Sequence, residues 1–259
     1  MTILEGSQMQ SLLAMLKTTY PLPAIVSMFL AVMLGSPKLS SGDEARETKE
    51  SLTLFDGRSA EAWEFREKAW VVDEDGHLTC QMEEVIQKSG KKKIRGMGYI
   101  WTRESFSDFV LDLEYRLSPL ANSGVFFRTD PIDPVQSGLE IQLLDDQGVQ
   151  REGVTLESKK SNAALYDCQA PTPHLPRANG QWNRLRLTCR GSLVKVEMNN
   201  QIVNEIDLQR WDQAGKNPDG TSNKFTKPLN ARPKSGRIGF QNHGKQVWFR
   251  NVQVTVLAD

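Results

Sequence analysis

The stretch FVLDLEYRL (Phe109–Leu117) alternates without a break. Phe109, Leu111, Leu113, Tyr115 and Leu117 share one parity, while Asp112, Glu114 and Arg116 share the other. Side chains of a strand point alternately to opposite faces, so a period of two specifies a strand with one buried and one solvated face. The pattern returns in RLRLTC (184–189), in LVKVEM (193–198) and in QIVNEI (201–206). Between the last two stand Asn199 and Asn200, residues that tolerate the positive φ of a type I′ hairpin turn. In QVWFRNVQVTVL (246–257) the phase changes: Val247 and Phe249 share one parity, and Val252, Val254 and Val256 the other. A β-bulge near Arg250 and Asn251 reconciles the two halves. Amphipathic helices are scarce; short helical turns are expected only near residues 59–63 and 207–214. Strands joined by short turns over roughly 200 residues specify an all-β fold of antiparallel sheets, a sandwich or barrel built as one domain.

Charge narrows the partners. The 259 residues carry 32 Lys plus Arg and 32 Asp plus Glu, so the net charge is zero. That balance gives no electrostatic footprint for nucleic acid or an anionic membrane. The basic run KSGKKKIRG (88–96) reads as a solvated hairpin tip. Cys80, Cys168 and Cys189 include no CxxC pair, and three reduced, buried thiols are expected rather than a disulfide framework.

The N-terminus reads differently. PAIVSMFLAVMLG (23–35) holds an apolar run of about eleven residues behind Lys17, the length of a signal-peptide core. A membrane-spanning helix needs roughly 20 residues. Export is therefore expected, with cleavage near Ser41 or Gly42 and no stable membrane span afterwards. No cysteine precedes Cys80, so a lipoprotein anchor is not expected. The expected organisation is a signal and lead-in over 1–42, a flexible linker over 43–51 and the folded domain over 52–257. Within the domain, residues 212–236 are rich in Gly, Pro and Asn, and a loop this long is functional or disordered.

The chemistry concentrates in GLEIQLLDD (138–146). Leu139, Ile141 and Leu143 face a core, so Glu140 and Gln142 face away, where a carboxylate must be wet or well paired. In GVFFRT (124–129), Gly124, Phe126 and Arg128 share a parity, which would set Arg128 beside Glu140 or Gln142 if the two strands are neighbours. A bulge at Leu143–Leu144 would bring Asp145 to the Glu140 face. The spacing of Glu140, Gln142 and Asp145 then resembles the acidic strand of laminarinase-type glucanases, although here the middle acid is an amide. Asp145 and Asp146 could equally cap a turn before Gly148.

Several phrases together, among them NSGVFFR, LEIQLLDD, NAALYDC, ANGQWNRLRL and GFQNHGKQVWFRN, resemble the 3-keto-disaccharide hydrolase domain family over about 52–257. The resemblance implies a concanavalin A-like jelly-roll β-sandwich of two antiparallel sheets. It also implies a substrate, a glycoside already oxidised at carbon 3 by a separate sugar 3-dehydrogenase. A C3 ketone acidifies the C2 hydrogen; a base removes it, the enolate expels the C1 substituent, and water adds back. Such a site needs a base, an electrophile for the enolate oxygen and an acid for the leaving oxygen. No cofactor is expected, though a divalent cation could serve as the electrophile.

Glu140 is the expected base or metal ligand, against a surface salt bridge to Arg128. His243, in GFQNHG, is the expected proton carrier, against a simple turn residue. Asp145 completes the catalytic candidates. Arg128, Gln142, Gln241, Trp101, Tyr166 and Asn122 are the candidates for binding sugar, with Tyr99 and Trp101 as stacking faces of which one could be core. Trp63, Trp70, Trp182 and Trp248 are assigned to the core. The rival reading is a carbohydrate-binding module on the same fold, which needs aromatics and amides but no acid–base cluster.

Overall fold

A computed structural model describes residues 48–258; the apolar segment 23–35 and the proposed cleavage site lie outside them. The first strands are β1 (Thr48–Phe55), β2 (Trp63–Phe65), β3 (Trp70–Val72), β4 (Leu78–Cys80), β5 (Met82–Ile86) and β6 (Lys92–Gly96). The central ones are β7 (Ile100–Phe106), β8 (Phe109–Leu117), β9 (Asn122–Thr129) and β10 (Leu139–Leu144). The last are β11 (Trp182–Arg190), β12 (Leu193–Met198), β13 (Gln201–Asp207), β14 (Gly236–Phe240) and β15 (Val247–Leu257). Two short helices, α1 (Pro134–Ser137) and α2 (Asp146–Arg151), flank β10.

The strands form an antiparallel jelly-roll sandwich. The larger sheet has eight strands in the order β13-β12-β11-β8-β15-β4-β3, with β1 paired to β15. The smaller has five, in the order β10-β9-β14-β7-β2. Alternation dictates the packing. Every apolar residue of β8 named above is buried, and its polar partners Asp112, Glu114 and Arg116 are partly exposed. Inward residues of the two sheets meet in one core, where Phe240 of β14 stacks on Phe249 of β15 with ring centroids 4.0 Å apart. Trp63 packs on the same Phe240 at 4.8 Å, and Trp70 lies 6.1 Å from Phe249.

Local expectations resolve one by one. Asn199 and Asn200 both have positive φ, as a type I′ turn requires. The register of β15 on β8 slips between Arg250 and Gln253, and Asn251 has φ of 52°, so the expected bulge is there. β5 and β6 form a separate hairpin carrying the basic run. All three cysteines are free and buried, and burial pushes Cys80 up to about 11 and Cys168 and Cys189 up to about 12. Residues 59–63 form a turn rather than a helix, while Leu208–Arg210 is a single 3₁₀ turn. The fold starts earlier than expected: β1 begins at Thr48 and pairs with β15, so residues 48–51 are strand and not linker. Trp63 and Trp70 are core, but Trp182 and Trp248 are only half-buried. Both flank Arg116 on the outer face of the larger sheet, its guanidinium 5.0 and 4.4 Å from their rings. Among the described residues, no helix is long and apolar enough to cross a membrane.

Candidate functional site

The face of the smaller sheet turned away from the core gathers most of the candidate residues named from the sequence. β10 pairs with β9 in unbroken register, setting Glu140 opposite Phe126 and Gln142 opposite Gly124. β14 runs along the other side of β9, and the Gln241 that follows it donates its backbone N–H to Gly124 O at 3.0 Å. Parity therefore delivers Glu140, Gln142, Phe126 and Gln241 to one face, while Ile141, Val125 and Phe240 go to the core.

Glu140 is 5% exposed. Its Oε1 accepts from Gln241 Nε2 at 3.2 Å, and its Oε2 lies 3.7 Å from Lys224 Nζ. The carboxylate rests against Gly124, where a Cβ would stand 2.2 Å from Oε1, so only glycine leaves room for it. Burial pushes Glu140 up to about 7; the Lys224 ammonium opposes the shift without cancelling it. Burial likewise lowers Lys224, against the pull of Glu140 and Asp167. A carboxylic acid raised and a neighbouring amine lowered by the same burial are suited to exchanging protons.

β10 is buried along its whole length, and a non-strand segment continues the sheet beyond it. Gln142 N donates to Ala164 O at 3.0 Å, Ala163 N to Gln142 O at 2.8 Å and Tyr166 N to Glu140 O at 2.9 Å. Ala163 and Asp167 take positive φ at the two ends of this segment. The arrangement fixes Tyr166 beside Glu140. The ammonium of Lys224 stacks on the Tyr166 ring at 4.1 Å, and Asp167 Oδ2 accepts from the Lys224 backbone N–H at 2.6 Å. Lys224 belongs to the irregular stretch 212–236, which read as a functional or disordered loop with no residue marked in it. A lone lysine has no periodicity or motif to betray it.

Across the sheet from Glu140 lies an aromatic group separate from the core. Trp101 is 9% exposed and lies over Gly239, where a Cβ would come within 2.1 Å of its ring. Tyr99 stacks on Phe126 at 5.7 Å, and Trp101 is 5.6 Å from Phe126. Both Tyr99 and Trp101 thus belong to the site face, and neither is core. Gln142 Nε2 donates to Asn122 Oδ1 at 3.4 Å, bringing two more candidates to the far end of the same strand pair.

Three candidates fall elsewhere. Arg128 is not beside Glu140. β9 carries an extra residue between Phe126 and Thr129 relative to β14, and Arg128 has φ of 50°. That bulge turns the guanidinium toward the larger sheet, where it donates to Ser107 O at 2.8 Å and Gly191 O at 2.7 Å and pairs with Asp108 at 3.1 Å. Asp145 does not join Glu140 either, because the expected bulge at Leu143–Leu144 is absent. Its carboxylate caps α2, accepting from Gly148 N at 3.0 Å, Leu120 N at 2.9 Å and Asn179 Nδ2 at 3.0 Å. Burial opposes ionisation there, but these donors win and hold Asp145 below its ordinary value. Asp146 accepts from Asn162 N and pairs with His174, a structural role. His243 is exposed on the loop after Gln241 and, among the described residues, makes no hydrogen bond or ion pair.

Glu140 belongs to no set of three His, Cys, Asp or Glu side chains close enough to share an ion among the described residues; the set that does exist is Asp73, Asp75 and His77. Those three sit at the β3–β4 turn, where Asp73 accepts from the backbone of Asp75 and His77. A divalent cation at Glu140 would have to compete with the Lys224 ammonium, so the donor set here does not fit one.

A sequence model of the 3-keto-alpha-glucoside-1,2-lyase-like domain family matches residues 50–255. A 3-keto-disaccharide hydrolase of Bacteroides thetaiotaomicron is 26% identical over 231 residues, spanning 80% of this chain and 78% of its own length. A crystal structure from Parabacteroides distasonis ATCC 8503, assigned on inference as a glycosyl hydrolase, superposes with a TM-score of 0.69 at 28% identity. It covers 80% of this chain and 100% of its own. A second structure from that organism shares the fold at a TM-score of 0.61 and 18% identity, covering 80% of this chain and 94% of that one.

Proposed function

The chain belongs to the 3-keto-alpha-glucoside-1,2-lyase-like domain family, and on that premise we propose that it is a carbohydrate-active enzyme cleaving the glycosidic bond of 3-keto-glycosides. The observation that carries the reading is the buried Glu140 held between Gln241 and Lys224, its proton affinity raised to about 7. A module that only bound sugar would have no use for a desolvated carboxylate whose burial costs stability.

In the proposed reaction the Glu140 carboxylate removes the proton from C2 of the oxidised sugar. The C2–H electrons form the enolate, whose charge gathers on the C3 oxygen. Lys224 stabilises that oxygen with its ammonium. The enolate then re-forms the ketone as the C1–O bond breaks, leaving a C1–C2 double bond, and the departing oxygen takes up one proton. Water adds to C1 and a proton returns to C2, so the net change is hydrolysis. Trp101, Tyr99 and Tyr166 offer flat apolar surface to the sugar ring, and Gln142, Asn122 and Gln241 offer amide groups to its hydroxyls. His243, exposed beside Gln241, is assigned no step. A separate 3-dehydrogenase supplies the ketone, and the apolar run 23–35 supports action outside the cytoplasm.

The test is incubation with a 3-keto-glucoside carrying a chromogenic aglycone, read as aglycone release beside the unoxidised glucoside. Release from the keto sugar alone is expected. Glu140→Gln should lower it by ~10²–10⁴-fold, the scale of a lost general base, while a thermal melt stays cooperative. Tight binding of the keto sugar without turnover would instead mark a binding module.

A further inference from the structure

Behind the loop that carries Lys224 lies a cavity of about 20 Å³, room for one water-sized particle. Its walls include Arg128, Arg232, Lys234, Ser137 and Ser192, and no Asp or Glu. Arg128 is already neutralised by Asp108. Arg232 is not: it forms no ion pair among the described residues, Asp133 acts on it only from a distance, and its Nε and Nη2 are buried without a protein acceptor. Its Nη1 donates to Gly138 O, and its guanidinium lies over the Phe225 ring at 4.3 Å.

An unmet charged N–H inside a protein is costly. Arg232 as a whole is half-buried, but its two enclosed N–H groups lack an acceptor, and a water there would bring no negative charge to them. Besides Leu139, Leu208, Leu229 and Pro233, the side chains around the cavity offer donors and positive charge, the complement of a negative ion. We propose that this cavity binds one small monatomic anion of the size of chloride, held by Arg232. Burial lowers Arg232 from its ordinary value, and Cys168 and Asp133 oppose that shift without cancelling it.

The position gives the ion a task. Arg232 touches the carbonyl of Gly138, two residues before Glu140, and the ring of Phe225, next to Lys224. An ion that fixes Arg232 therefore ties together the two chain segments that supply the acid–base pair.

The experiment reads structure and stability, not turnover, and so stands apart from the proposed reaction. Thermal unfolding is followed as chloride replaces gluconate at constant ionic strength. A saturable rise in Tm of about 2–4 °C is expected, because a ligand that binds only the folded state stabilises it. Crystals grown in bromide should give one anomalous peak beside Arg232. Arg232→Met should lose the saturable response; should that variant fail to fold, Arg232→Lys should keep the response but need more chloride. A Tm indifferent to chloride overturns the proposal and assigns the cavity to water. So does an absent bromide peak, and a peak without a Tm response marks an adventitious ion only.

Discussion

At the scale of the residue, the site turns on one carboxylate made reluctant to ionise. Because burial raises Glu140 to about 7, the base form dominates only above that pH, and kcat/KM should fall as pH drops through it. Lys224 opposes the shift. Lys224→Met should therefore move the acidic limb to higher pH and lower the plateau by ~10²–10³-fold, the cost of a lost oxyanion partner. A pH–rate profile of the two proteins checks both effects; an unmoved limb would remove Lys224 from the site. The stability sign runs the other way from an ordinary surface carboxylate. The folded state holds its proton more tightly than the unfolded chain, whose value is near 4.5. The contribution is thus fully present below that value and lost as pH rises to about 7. Much of this was legible in the sequence, since alternation alone assigns Glu140, Gln142 and Phe126 to one face. Arg128 was misread because parity holds only while the strand is regular. A single positive φ at Arg128 reverses its face, and nothing in GVFFRT announces it. Lys224 was illegible for a different reason: its partner is 84 residues away in sequence and reached through a loop without a period.

Elements succeed or fail on their termini. β10 was recognisable from its alternation, but the short α2 that follows was not, because six residues are too few to establish a helical period. What forms it is a cap. Asp145 accepts from Gly148 N inside α2, and also from Leu120 and Asn179 outside it. The same Asp145 that resembled a catalytic acid is thereby committed to three structural donors. Asp145→Ala should cost ~1–2 kcal/mol by equilibrium urea unfolding, the upper range for a lost N-cap, and Asp145→Asn less. With its proton affinity depressed, Asp145 contributes stability above pH ~4 that is lost as pH falls through its lower folded value. The destabilisation of the Ala variant should therefore shrink in acid. Because the cap lies outside the Glu140 face, turnover of the folded fraction should stay near wild type. A loss of activity as large as that of Glu140→Gln would return Asp145 to the chemistry.

At the scale of the whole molecule, the site is a product of non-local pairing. Glu140 and Gly124 come from adjacent strands, Gln241 from the end of β14 and Trp101 from β7. Tyr166 and Lys224 come from two separate loops. The sheet that carries them shares its core with the larger sheet through Trp63, Phe240, Phe249 and Trp70. In the larger sheet β1, at the start of the described chain, pairs with β15 at its end. The inward faces of the two sheets cover each other. Unfolding should thus be a single cooperative event in which tryptophan fluorescence, far-UV circular dichroism and loss of the Glu140 site coincide along a denaturant titration. Refolding should be slow, in the millisecond-to-second range typical of sandwiches dominated by distant contacts. Removing residues 48–55 should abolish the transition rather than shift it. That segment contributes Leu54 and Phe55 to the core and the carbonyl of Leu54 to the indole of Trp63 at 2.8 Å. A truncated chain that still melts cooperatively would mean that the smaller sheet and its site are held by themselves. The chemistry at Glu140 would then be separable from the sandwich that surrounds it.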